Sequence, residues 1–192
     1  MNYTTMKGGI KLFIGPMFSS KSTSMCSVVE RYHIAGKRCI MIKYSNDTRY
    51  DEFCTNGIVT HALREFSKVP VILANDLSKL YGELLKYDVI GIDEVQFIKN
   101  SVDMIQKLAN MGRVIICAGL DADYRGKPFK RTKQLIPLAE EVKKLKAVCM
   151  KCSDDASFTA RISTETDIEV IGGADKYIAV CRNCMWPNNA QK

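Results

Sequence analysis

The chain has 192 residues, of which 46% are apolar and 26% charged. That is enough for one ordinary domain with a small appendage and too little for two full domains, and the composition excludes disorder, collagen and coiled coil. Lys and Arg number 28 against 21 Asp and Glu, a formal net charge of +7 that suits a polyanionic ligand, nucleic acid or nucleotide phosphate alike.

Lys7 and Lys11 interrupt any apolar leader at the N-terminus. The longest apolar runs, such as residues 114–118, fall far short of the ~18 residues a membrane span requires. The expectation is a soluble, intracellular protein with no membrane partner. In chain order, residues 10–14 read as a buried strand ending at Gly15-Pro16, and 21–35 as a helix stopped by Gly36. Strands follow at 39–42 and 69–73, then a helix over 76–85 with Leu77, Leu80, Leu84 and Leu85 on one face. Residues 88–93 form a strand ending in acids. A helix over 101–111 takes Ser101 as N-cap and Gly112 as its stop. Residues 114–118 are a fully apolar strand, and 135–142 read as a last helix. Apolar strands between helices predict an α/β fold, a parallel sheet covered on both faces. The division expected is residues 1–146 for this nucleotide-binding unit and 147–192 for a second, smaller one.

The eight cysteines fall into two classes. Cys26, Cys39, Cys54 and Cys117 are scattered and read as small buried thiols. Cys149, Cys152, Cys181 and Cys184 form two C-x2-C knuckles separated by 28 residues. Four soft thiolates at this spacing suit tetrahedral Zn²⁺ and leave no open position for water, so the ion is expected to be structural.

Between the first strand and the first helix stands Gly15-Pro16-Met17-Phe18-Ser19-Ser20-Lys21-Ser22. In that context backbone N–H groups and a helix N-terminus cradle phosphates, Lys21 reaches the β- and γ-phosphates of ATP, and the Ser22 hydroxyl ligates Mg²⁺. The motif G-x4-G-K-[ST] has glycine where this chain has Ser20, a departure that weakens the loop or shifts it. The alternative is a tight strand-to-helix turn. The second element is Val89-Ile90-Gly91-Ile92-Asp93-Glu94. An acid at the end of a buried strand, Asp93, can hold Mg²⁺, leaving Glu94 as a base; the plainer alternative is two acids ending a strand in solvent.

Taken together the motifs become specific. Gly15 to Ser19, Ile42-Lys43-Tyr44-Ser45-Asn46-Asp47-Thr48-Arg49-Tyr50, Ile90 to Glu94, Leu120-Asp121 and Lys127-Pro128-Phe129 resemble the type II, cellular and poxviral, thymidine kinases. So do Ala147 to Cys152 and Gly172-Gly173-Ala174-Asp175-Lys176-Tyr177. The likeness runs through nearly the whole chain in one order, and the compact length is most similar to the poxviral members.

The resemblance implies an ATP:thymidine 5′-phosphotransferase whose zinc-anchored lasso, residues 153–180, clamps the nucleoside. It implies that Ile168, Glu169, Val170, Ile171 and Gly172 read the thymine through their main chain, with Tyr177 closing the sugar side; from periodicity alone this strip is a β-strand. It places Met17, Phe97, Leu120 and Thr159 around the base. Tyr124 stands where the family usually has phenylalanine, so its hydroxyl must find a partner. Val95 replaces a common glycine beside Glu94. Asp47 is placed near Mg²⁺, Arg49 near the transferring phosphoryl group, and Arg161 adds positive charge. A homotetramer, feedback inhibition by dTTP and a cytoplasmic location are also implied. The rival from another class is a nucleic-acid-stimulated ATPase with a zinc ribbon, to which the net charge is suited. Its basic groups are Lys127, Lys130, Arg131 and Lys133, then Lys143, Lys144 and Lys146.

Overall fold

Strands that are apolar on both sides require cover above and below, and the structure supplies it. The computed structural model describes residues 7–47, 58–59, 65–66, 68–168, 170 and 172–187. In chain order the first elements are β1 (Gly9–Gly15), α1 (Lys21–Ile34) and β2 (Cys39–Tyr44). Next come a short antiparallel pair, β3 (Ile58–Val59) and β4 (Glu65–Phe66), and then β5 (Val71–Ala74). A 3₁₀ turn, Leu77–Leu80, runs into α2 (Tyr81–Leu84). The domain is completed by β6 (Val89–Ile92), α3 (Ser101–Asn110), β7 (Val114–Leu120), α4 (Lys130–Leu135) and β8 (Glu141–Lys144).

Six strands make one sheet in the order β5-β2-β6-β7-β1-β8, every pair parallel. Alternate residues of each strand go to opposite faces. Ile10, Leu12, Ile40, Ile42, Ile90, Ile92 and Ile115 pack with Ile105 and Leu108 of α3. Phe13, Met41, Val89, Ile116 and Ala118 pack with Met25 and Val29 of α1 on the other face. Helix α1 lies so close to β6 that a Cβ at Gly91 would stand 2.9 Å from Val29 Cγ2, which requires glycine there. Because the strands are parallel, the loops after β1, β2, β6 and β7 all gather at one edge of the sheet, where ligands of such folds bind.

Beyond β8, the chain makes a hairpin of β9 (Ala147–Val148) and β10 (Asp155–Ala156). A second antiparallel pair follows, β11 (Phe158–Arg161) and β12 (Tyr177–Val180), then α5 (Arg182–Met185). A small core of Ala147, Cys149, Ala156, Ala179, Val180 and Cys181 holds this unit together, and Phe18 from the loop after β1 packs against it.

Four expectations need correction. The helix expected over 135–142 is instead α4, which ends at Leu135, then a 3₁₀ turn carrying Pro137, then strand β8. Leu135, Leu138 and Val142 mimic a helical face, but Pro137 breaks the ladder and 141–144 pair with β1 at the sheet edge. Ser101 is not the N-cap of α3. Asn100 occupies that place in a left-handed conformation (φ 55°) with its amide given to Asp76, and Ser101 is buried with its hydroxyl on Val95 O. The helix over 76–85 is half 3₁₀, with Asp76 accepting from Ser78 N at 3.0 Å. Of the strip 168–172, the described residues Ile168, Val170 and Gly172 pair with no strand.

Candidate active site

The loop after β1 is stitched to itself. Ser19 Oγ donates to Pro16 O at 2.8 Å and Lys21 Nζ donates to the same carbonyl at 2.6 Å. Gly15 is required: a Cβ there would collide with the carbonyl of Leu145. Phe18 (φ 64°) and Ser20 (φ 59°) are both left-handed, so Ser20 adopts the backbone conformation that the motif's glycine supplies without strain. Its side chain makes no capping bond to offset that cost.

Strand β6 delivers the two acids to the same edge. Ser22 Oγ donates to Asp93 Oδ1 at 2.9 Å, tying the start of α1 to the end of β6. Asp93 is buried (7% exposed), and its other contact on that oxygen is the Glu94 N–H at 3.0 Å. Burial, then the Glu94 charge, then that of Asp47, push the Asp93 carboxyl up to about 7, against the Ser22 hydrogen bond. A cluster of acids held together under such repulsion, with a serine hydroxyl beside it, has the donor set that hard cations such as Mg²⁺ take. Glu94 itself is left-handed at φ 49°, a conformation that turns the chain out of the strand while Val95 N still reaches Ala118 O at 3.1 Å. Val95 is fully buried, so the residue that departs from the family pattern serves as core.

One residue the sequence reading missed is Gln96. Only 3% exposed, it donates from Nε2 to Glu94 Oε2 at 2.6 Å and accepts from Leu120 N at 3.1 Å. A polar side chain inside the run Val95-Gln96-Phe97-Ile98 was its only signal, since a buried amide must be hydrogen-bonded.

The expected base-lining residues come from four parts of the chain. Met17 N donates to Thr159 Oγ1 at 3.0 Å, joining the loop after β1 to β11. Phe97 stacks on Tyr44 at 5.4 Å and meets Phe129 edge-on at 5.5 Å. Leu120 ends β7, its carbonyl held by the Thr132 hydroxyl at 2.8 Å. The Tyr124 hydroxyl does have a partner, Thr166 O in the lasso, at 3.0 Å.

Arg161 is engaged within the lasso and against Tyr124. Its guanidinium donates to the carbonyls of Glu165, Asp167 and Ile168 and to the Tyr177 hydroxyl, and it lies 4.0 Å over the Tyr124 ring. Tyr177 passes the chain of bonds on, donating to Val170 O at 2.9 Å. Asp47 lies near enough to act on Asp93, whereas Arg49, Glu169 and Ile171 lie outside the described residues.

The four C-terminal cysteines converge, all sulfurs within 4.8 Å of one another and Cys152 Sγ 3.6 Å from Cys181 Sγ. With Zn–S bonds of about 2.3 Å, sulfurs at the corners of a tetrahedron stand about 3.8 Å apart, so the cluster has the size and chemistry for zinc. Burial opposes ionisation of Cys149, but the backbone N–H groups of Cys181, Lys151 and Cys152 outweigh it and bring the thiol down to about 6. Ser153, left-handed at φ 63°, closes the first knuckle by donating to Cys149 O at 2.8 Å.

A family model described as thymidine kinase matches residues 8–185. The thymidine kinase of Myxoma virus (strain Lausanne) is 48% identical over 179 residues, spanning 93% of this chain and 97% of the viral protein. That of Vaccinia virus (strain Ankara) is 47% identical over 93% of this chain and 98% of its own length. The cytosolic thymidine kinase of Gallus gallus is 44% identical over 186 residues, which are 97% of this chain and 80% of the avian one. A match of this extent, on a chain whose loop, paired acids and four-cysteine cluster fold as described, makes this protein a member of the thymidine kinase family.

Proposed function

We propose that the chain transfers the γ-phosphoryl group of ATP to the 5′-hydroxyl of thymidine, giving dTMP and ADP. The observation that carries this reading is the convergence at one sheet edge of the loop 15–22, Asp93 with Ser22, and Glu94, beneath a lasso joined to that loop through Met17 and Thr159. Loop N–H groups and Lys21 hold the phosphates, and Ser22 and Asp93, with Asp47 nearby, hold the Mg²⁺ that accompanies ATP and screens its charge. Glu94 accepts the proton of the 5′-hydroxyl as the oxygen bonds to the γ-phosphorus and the bond to the β-phosphate oxygen breaks, releasing ADP. Arg49 adds charge at the transferred group. Met17, Phe97, Leu120, Tyr124, Thr159 and Tyr177 surround the nucleoside, and the main chain of 168–172 reads its base. Residues 1–146 act as the nucleotide unit and 147–192, on structural Zn²⁺, as the lasso. A cytoplasmic homotetramer inhibited by dTTP belongs to the same reading.

One detail of the surface supports a small nucleoside over nucleic acid. Lys11 and Lys143 are paired with Glu141, Lys144 with Asp121 and Lys146 with Asp155, so much of this basic face is already neutralised. Among the described residues, no helix is long and apolar enough to cross a membrane. The test is competition: with MgATP and equal thymidine, deoxyuridine and deoxycytidine, thymidine is consumed first and appears as its 5′-monophosphate. Phosphorylation of none of the three overturns the reading.

Two variants probe its parts. Ser20→Gly removes a left-handed cost of about 1 kcal/mol and no side-chain bond of the cap. The expected result is a lower KM for ATP, and an unchanged or raised KM rejects the idea that serine weakens the loop. Arg161→Met removes the donors that gather the lasso carbonyls. It is expected to raise the thymidine KM about tenfold or more with a smaller change in the ATP KM, measured by initial rates. An equal rise for both substrates would point to a phosphate contact instead.

A further inference from the structure

We propose that Gln96 is a positioning residue that fixes the carboxylate of Glu94 for proton abstraction, an inference that rests on the reading of Glu94 as the base. The argument starts from the two ends of one amide. The Leu120 N–H can only donate, so the Gln96 oxygen must face it at 3.1 Å. The amide nitrogen is thereby aimed at Glu94 Oε2, 2.6 Å away, and only as a donor. A side chain with both ends spent, 3% exposed, has no freedom to turn. Its backbone is pinned as well, since Arg131 Nη1 donates to Gln96 O at 2.9 Å.

The sheet makes room for this amide. A Cβ at Gly119 would stand 2.6 Å from Gln96 Oε1 and 2.9 Å from Val95 Cγ1. Glycine at the penultimate position of β7 therefore accommodates the amide that orients the acid just beyond the neighbouring strand, β6. Glu94 needs such a support because its backbone is left-handed and Asp93, carrying the nearest carboxyl, stands next to it. A neutral donor holds the carboxylate in place without adding a second charge beside it. Charge-assisted and partly buried, such a bond is among the stronger neutral-donor contacts.

The test compares wild type, Gln96→Leu, Gln96→Glu and Glu94→Gln by steady-state kinetics across the neutral pH range. Gln96→Leu is expected to lower kcat about 10- to 100-fold while the thymidine KM stays within about threefold, since only the orientation of the base is lost. In Gln96→Glu the introduced carboxyl can donate to Glu94 only while it holds a proton. Its activity relative to wild type should therefore be highest at the acid end and fall as pH rises, a signature that loss of packing does not produce. Near-normal kcat in Gln96→Leu, or a rise in KM as large as the fall in kcat, overturns the proposal. So does a Gln96→Glu protein whose profile parallels wild type or that is inactive throughout, whether or not Gln96→Leu folds. Glu94→Gln separates the two ideas: if it keeps its turnover the underlying reading fails, and if it alone is inactive the failure belongs to Gln96.

Discussion

A protein carrying Glu94→Gln is expected to lose roughly 10²- to 10⁴-fold in kcat, the range associated with removing a general base, while still binding MgATP. The substitution keeps shape and the capacity to accept from Gln96 Nε2, so the local scaffold survives. What it removes is the carboxylate assigned to take the proton of the attacking hydroxyl. The nucleotide contacts lie elsewhere, on the loop 15–22 and on Asp93 through Ser22. Equilibrium titration with a fluorescent ATP analogue, beside single-turnover phosphoryl transfer, separates the two effects. A kcat within tenfold of wild type would remove Glu94 from the role of base.

Loss of the four-cysteine centre should be as damaging by a different route. Both ends of the lasso are attached there, Cys149 and Cys152 before β10, Cys181 and Cys184 at and after the end of β12. Structural zinc in small peptides contributes about 10–16 kcal/mol of binding energy, which becomes folding energy where no site exists beforehand. Cys152→Ser, or stripping with a thiol-directed mercurial and chelator, is expected to release one zinc per chain and lower thymidine turnover at least about 100-fold. Trp186, the one tryptophan of the chain, reports the same event independently. It packs edge-on against Phe158 at 4.9 Å and lies beside Gly126, so its emission should shift red as the unit opens. Full activity after complete removal of metal would contradict a structural role.

How much of this was legible in the sequence depended on whether the cause was local. The fully apolar runs of β6 and β7 and the glycine stops of α1 and α3 were readable, because burial on both faces and a left-handed turn each leave a mark on consecutive residues. The knuckle spacing likewise forecast a cluster that the fold brings together. Strand β8 was not readable: three of its four residues are charged, and only its register with Lys11 to Ile14 makes it a strand. The partners of Arg161 were not readable for a similar reason, since three carbonyls four to seven residues away take its donors, and hydrogen bonds to main chain carry no residue code. Gln96 was overlooked because one of its two partners, Leu120 at the end of β7, lies 24 residues away, and only the sheet brings it to the segment after β6. The Ser20 departure was the opposite case. The departure from the motif's glycine marked Ser20 as a position to watch, and the structure holds serine there at φ 59°, a conformation the sequence itself did not specify.

The most direct measurement is ADP release from MgATP by the zinc-loaded protein, with thymidine, with single-stranded DNA, and with neither. The predicted result is release only with thymidine, with dTMP formed in equal amount. ADP formed without thymidine, or stimulated by DNA, would contradict a phosphotransferase and restore the ATPase.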